Sequence, residues 1–233
     1  MALIDPILLE RSAIKAFGQL TQKVNRSIML RQNVSQRGLF ASLMDLGDRF
    51  EMQGQHHIMN TKSAEFAEDL LSKKEYDLAS IVYGILIKIN RNNPALTEEF
   101  AKKALSVAKK TGDPIHIMAR ADDLNYLYRQ TEYGSKKHFQ ALLEEKKALV
   151  EIVTNYEGAV RKYRTLTRQP LTKDRYEFML CGIKMEIAKI KLETNPLLAI
   201  NELESAQKIM RKYGQGTLVK RIKGLLDIAY SNL

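Results

Sequence analysis

Apolar residues recur through most of this chain at intervals of three and four, the spacing that gathers them on one face of an α-helix, and the two-residue alternation of strands is almost absent. The clearest case is residues 64–89. Phe66, Ala67, Leu70 and Leu71 line one amphipathic stretch, Ala79, Tyr83, Leu86 and Ile87 line a second, and Lys74-Glu75-Tyr76 stands between them. This is the pattern of an antiparallel helical hairpin. Ala67 and Ala79 carry no bulk, so the two axes can approach closely, with Phe66 and Tyr83 as the large partners. A hairpin cannot bury both of its faces alone, so the pattern implies neighbours of the same kind.

Helix starts are marked by proline. Four of the five prolines follow Asp or Asn, in Asp5-Pro6, Asn93-Pro94, Asp113-Pro114 and Asn195-Pro196. A side-chain oxygen at the cap position accepts from a free backbone N–H, and proline in the first turn gives up a donor that has no partner there. The spacing predicts about ten helices, at about 6–31, 37–53, 61–73, 75–91, 95–110, 114–131, 136–167, 172–193, 196–213 and 217–231. All connections are short, which favours antiparallel neighbours stacked in chain order.

Two more hairpins follow the same plan. Ala101, Ala104, Leu105 and Ala108 precede a Thr111-Gly112-Asp113-Pro114 turn, then Ile117, Met118, Ala119, Leu124, Leu127 and Tyr128. Ala199, Leu203, Ala206 and Ile209 precede the Tyr213-Gly214-Gln215-Gly216 break, then Ile222, Leu225, Leu226, Ala229 and Tyr230. With Phe66, Ala67, Leu70, Tyr76, Ala79 and Tyr83 the first unit resembles the tetratricopeptide repeat family, although Lys74 stands where glycine is commoner and Arg91 where a closing proline is expected. The resemblance implies an all-α solenoid of stacked antiparallel hairpins over residues 61–233. It also implies binding of a protein or peptide on a helical-repeat surface. Residues 1–60 do not fit the repeat. Ile7, Ile14, Phe17, Val24 and Ile28 form one face there, and Leu39, Phe40, Leu43, Met44 and Phe50 another. They read as a cap on the stack. The alternative is a docking or dimerisation element, for which Leu20 and Met29 look exposed.

Charge changes the picture at the C-terminal end. The net charge is +10, and residues 161–223 hold fifteen basic and six acidic side chains, which is nine of those ten charges. Arg161, Lys162, Arg164 and Arg168 form one cluster; Lys208, Arg211, Lys212, Lys220, Arg221 and Lys223 form another. These ten residues are the candidate partner-binding positions, for an acidic peptide or, alternatively, for nucleic acid with Tyr163, Tyr176 and Tyr213 available to stack. Tyr176 shares a stripe with Met179, Leu180, Ile183, Ile187 and Ile190 and is therefore expected in the core.

Candidate catalytic chemistry is sparse. His56-His57 reads as a polar loop, the lone Cys181 as a small buried hydrophobe, and Gly214-Gln215-Gly216 as a helix end. The neighbouring acids Asp122-Asp123 and Glu144-Glu145 cannot face one substrate from a single helix, and His116 and His138 have no evident orienting partner. No catalytic, metal or cofactor residue is expected. An early Asp5-Pro6, a single cysteine and no long apolar run point to a cytoplasmic, non-enzymatic interaction scaffold without a membrane span.

Overall fold

The computed structural model describes the backbone of residues 6–52, 54–163 and 170–233, and side chains within those ranges from residue 12 onward. The roles expected of Asp5 and Ile7, and the positions of Arg164 and Arg168, lie outside the described residues. Among the described residues there are eleven helices and no strand. They are α1 (Pro6–Met29), α2 (Gln36–Met52), α3 (His56–Ser72), α4 (Tyr76–Ile89), α5 (Pro94–Thr111), α6 (Pro114–Thr131), α7 (Lys136–Thr154), α8 (Tyr156–Lys162), α9 (Lys173–Lys191), α10 (Pro196–Lys212) and α11 (Gly216–Ser231). The fold is all-α, built of helices packed in adjacent pairs as in an α-solenoid. None of these helices is long and apolar enough to cross a membrane.

The proline rule holds. Helices α1, α5, α6 and α10 begin on Pro6, Pro94, Pro114 and Pro196. Asn93 accepts from the Leu96 N–H at 3.2 Å, Asp113 from the Ile115 N–H at 2.9 Å and Asn195 from the Leu198 N–H at 3.1 Å. Boundaries without such a signal differ from expectation. Helix α3 starts at His56, not near 61, so His56 and His57 are its first turn. Gly54, at φ +67°, ends α2, and Gln55 enters the next helix without a side-chain cap. The helix expected over 136–167 breaks at Asn155, which closes α7 and caps α8 by accepting from the Gly158 N–H at 3.1 Å.

The chain forms two compact units that divide at Thr111/Gly112. In the first unit α5 packs on α4, and in the second α6 packs on α7. In the first unit α4 lies against α2, α3 and α5, which is why it buries Leu78, Ala79, Ile81, Val82, Tyr83, Ile85 and Leu86 almost all round. Phe17 and Val24 of α1 and Leu39, Leu43 and Phe50 of α2 enter the same core as α3 to α5, with Leu20 partly buried against it and Met29 exposed. Asn60 of α3 and Asn90 at the end of α4 exchange amide hydrogen bonds at 2.9 and 2.7 Å, and Thr97 of α5 donates to the Asn90 carbonyl at 2.7 Å. A buried amide is costly unless paired, so this exchange sets the register of the three helices.

In the second unit α9 lies between α7 and α10. Its Tyr176, Leu180, Ile183 and Ile187 face the α6–α8 side, while Cys181, Met185 and Ala188 join the core made with α10 and α11. Cys181 is buried, as its setting in the sequence suggested. Glu202 of α10 is buried between Lys146 of α7 and Lys184 of α9, with Lys184 at 3.1 Å. Tyr230 leaves the apolar stripe expected of it: half-exposed, it donates to Glu204 at 2.9 Å.

The turn at Lys74 is a Schellman closure, in which the Glu75 N–H donates to the Leu70 carbonyl at 2.9 Å and the Lys74 N–H to Leu71 at 3.0 Å. Lys74 holds φ +62°, a left-handed conformation that strains an L side chain and suits glycine. Lys74→Gly is expected to stabilise the protein by about 0.5–1 kcal/mol, read as a higher Tm. Ala67 and Ala79 are both fully buried in the α3–α4 pair. Leucine at either is expected to cost about 1–3 kcal/mol by overpacking, read from denaturant unfolding.

Candidate functional site

Four helices of the second unit enclose an open groove of about 470 Å³. Asp122, Asn125 and Arg129 recur at three- and four-residue spacing on one face of α6, and Glu145 comes from α7. Helix α9 supplies Met179, Gly182, Ile183, Met185, Glu186 and Lys189, and α11 supplies Leu218 and Arg221. The floor is apolar along α9 and the walls carry charge of both signs. Gly182 leaves open space where a Cβ would stand, so its place in the α9 floor widens the groove.

The polar side of the groove is fixed by a hydrogen-bond chain with one possible direction. The Gly134 N–H, which can only donate, reaches His138 Nδ1 at 3.1 Å. His138 in its neutral form therefore carries its proton on Nε2 and donates to Asn125 Oδ1 at 3.0 Å. The Asn125 amide is thereby turned so that its Nδ2 donates to Glu145 Oε2 at 2.8 Å. His138 is fully buried, Asn125 is 7 % exposed and Glu145 2 %. Burial holds the His138 imidazole below its ordinary range, in keeping with a neutral ring. Burial, helped by the negative charge of Asp122, pushes the Glu145 carboxyl up to about 8.

His138 thus has two orienting partners where none was expected, and Asp122 and Glu145, each unable to act with its neighbour in the chain, face one groove from two helices. Glu186 joins them from α9, 3.3 Å from Lys189. His116 lies apart at the start of α6, where burial lowers it to about 4.

The basic candidates fall in several places. Arg161 and Lys162 are exposed in the last turn of α8, Lys208, Arg211 and Lys212 lie toward the end of α10, and Lys220, Arg221 and Lys223 lie in the first half of α11. Cations in a last helical turn complement the free carbonyls there, which accounts for part of the clustering. Only Arg221 of the described candidates lines the groove. Lys212 is paired with Glu177 of α9 at 2.9 Å, and Tyr213 donates to Glu177 at 2.6 Å and to Asp174 at 2.8 Å. Although burial works the other way, these hydrogen bonds hold Glu177 below the usual carboxylate range. Of the aromatic residues set among the bases, Tyr176 is 1 % exposed and the Tyr213 ring lies 5.0 Å from Phe178, so neither offers an open stacking face comparable to a free ring.

The chain matches no protein-family model and no curated protein.

Glu145 keeps its proton to higher pH when folded than when unfolded. Its contribution to stability is therefore complete below its ordinary value of 4.5, declines as pH rises and is lost above about 8. Against Glu145→Gln, which keeps an acceptor for Asn125, wild-type unfolding free energy is expected to fall by roughly 1.4 kcal/mol per pH unit across that window. Parallel urea titrations of the two proteins at several pH values check this, and parallel curves would mean that Glu145 titrates normally.

Proposed function

We propose that this chain is a non-enzymatic, cytoplasmic interaction protein, an adaptor of tetratricopeptide-like organisation that holds a segment of a partner protein in the groove of α6, α7, α9 and α11. The groove itself is the observation that carries this: an apolar floor with charged walls, drawn from four packed helices, suits an extended segment read by its side chains. Rigid display follows from the buried alanines and polar ties that hold the helices, so little ordering is needed on binding.

A second function, nucleic-acid association through residues 161–223, draws on the exposed Lys208, Arg211, Lys220 and Lys223. It is weakened by the pairing of Lys212 and the engagement of Tyr213. Self-association through residues 1–60 has the exposed Met29, Leu30 and Met52 in its favour.

Gly182→Met fills the groove without meeting a neighbour at Cβ. A triple reversal, Lys208→Glu, Arg211→Glu and Lys223→Glu, changes the exposed basic face and leaves the groove lining alone. In affinity capture with the full chain from a nuclease-treated extract, partners are expected to survive nuclease, to be lost with Gly182→Met and to be retained by the triple reversal. Loss of partners on nuclease treatment, or their loss with the triple reversal and retention by Gly182→Met, would overturn the groove in favour of the basic face.

A further inference from the structure

Glu145 combines three properties: it is 98 % buried, it faces a groove open to solvent, and its hydrogen-bond partner is a neutral amide. A carboxylate taken out of water needs a cation or several donors to repay its lost hydration. The chain from Gly134 through His138 and Asn125 supplies one donor and, by its fixed direction, holds the carboxyl group in a single orientation at the groove wall.

The charged neighbours sharpen the chemistry. Asp122 and Arg129 face the groove from α6, Glu186 and Lys189 from α9, and Arg221 from α11; Lys146, one position on from Glu145, turns away to Glu202 of α10. Lys189 is paired with Glu186, and the Arg129 guanidinium lies over the Tyr126 ring at 5.9 Å. The charge of Arg129 favours the ionised form of both Glu145 and Asp122, but among the described residues neither acid forms an ion pair, so the two stand together at the wall, with the apolar stretch of α9 beneath to take an alkyl stem.

We propose that the groove seats the side chain of an arginine or lysine of the bound segment, its cationic head against Glu145 with Asp122 beside it and its methylene stem along Met179 and Ile183. This deepens the adaptor function and rests on it. A basic side chain suits the site in both parts, because its stem is apolar and its head is charged. Cation binding to a carboxyl that is protonated in the free protein must displace a proton, so affinity and pH are linked. Burial holds His138 below the imidazole range and raises Asp122 as well as Glu145, and Glu145, pushed up to about 8, is the group placed to respond as pH rises from 6 to 8.

The test uses the full chain and two probes of nearly the same shape, N-acetyl-arginine amide and its uncharged counterpart N-acetyl-citrulline amide, followed by NMR of the Glu145 carboxyl carbon and of backbone amides. The arginine probe is expected to shift signals of α6, α7 and α9, to lower the Glu145 titration midpoint, and to bind at least about tenfold better than citrulline at pH 8. Its affinity is expected to rise by up to about tenfold per pH unit from 6 to 8. Glu145→Gln is expected to abolish the pH dependence and most of the preference for arginine, and the partly exposed change Asp122→Asn to weaken binding a few-fold. Helical circular dichroism and Tm, expected to be retained in both variants, are the check that they fold. Equal binding of the two probes, an unchanged preference in Glu145→Gln, or shifts confined to other helices would overturn the assignment. These outcomes are separate from the capture experiment: a partner lost with Gly182→Met but indifferent to Glu145→Gln keeps the groove and removes the basic side chain from it.

Discussion

Close approach of helices at alanine-lined faces is the constraint on which the fold depends. Every helix satisfies its backbone hydrogen bonds internally, and no sheet ladder joins the elements among the described residues, so only side chains hold one helix to the next. Ala67, Ala79, Ala101, Ala104 and Ala108 in the first unit, and Ala121, Ala188, Ala199, Ala206 and Ala229 in the second, are all fully buried. They let backbones come near enough for the larger residues beside them to interlock, and dispersion then acts over many short contacts. Each unit also has one helix enclosed by neighbours, α4 in the first and α9 in the second, and both carry apolar residues on more than one face.

Alanine faces bring helices together but specify register weakly, because a small flat surface can slide. Buried polar pairs supply the missing specification. Asn60 and Asn90 exchange amide bonds across the first unit, and Glu202 sits between lysines from two other helices in the second. A slip of one turn in any of these helices would leave a buried amide or charge without a partner, which costs more than the pair contributes when made. The chain Gly134–His138–Asn125–Glu145 belongs to the same class and differs in where it ends. Its last member lies at the wall of a groove rather than in the middle of a core, so one network both orders the turn before α7 and presents a carboxyl group to whatever enters.

The basic residues and the groove illustrate two unequal kinds of signal. Excess charge over residues 161–223 is conspicuous in the sequence, yet in the fold it is spread over the ends of α8 and α10 and the start of α11, and Lys212 is met by Glu177. Exposed charges of that kind are screened within about a Debye length and act mainly on encounter. The groove is inconspicuous in the sequence and carries charges in a partly desolvated setting, where each is worth more.

Local chemistry made the helices legible. Asx-Pro pairs announced four helix starts, three- and four-residue periodicity identified the buried faces, and the setting of Tyr176 and Cys181 in apolar stripes placed both in the core. Where no local signal exists the boundaries moved: Gln55 is a poor cap yet begins α3, and Asn155 breaks a run whose periodicity looked continuous. Asn125 and Glu145 did leave a trace, since each occupies a stripe position, between Leu124 and Tyr128 and between Leu142 and Leu149, where an apolar residue is the rule. What those two residues do there depends on packing. Helix pairing at a given point, such as α5 with α4 and α6 with α7, is settled by shape and burial between whole helix faces rather than by any residue's immediate neighbours, and the meeting of Asp122, Asn125, Glu145, Glu186 and Arg221 exists only after that packing. The sequence by itself determined the helices and their buried faces, because both arise from interactions within a few residues; the site was decided by tertiary structure, because its groups lie on four helices that only the closed core brings together.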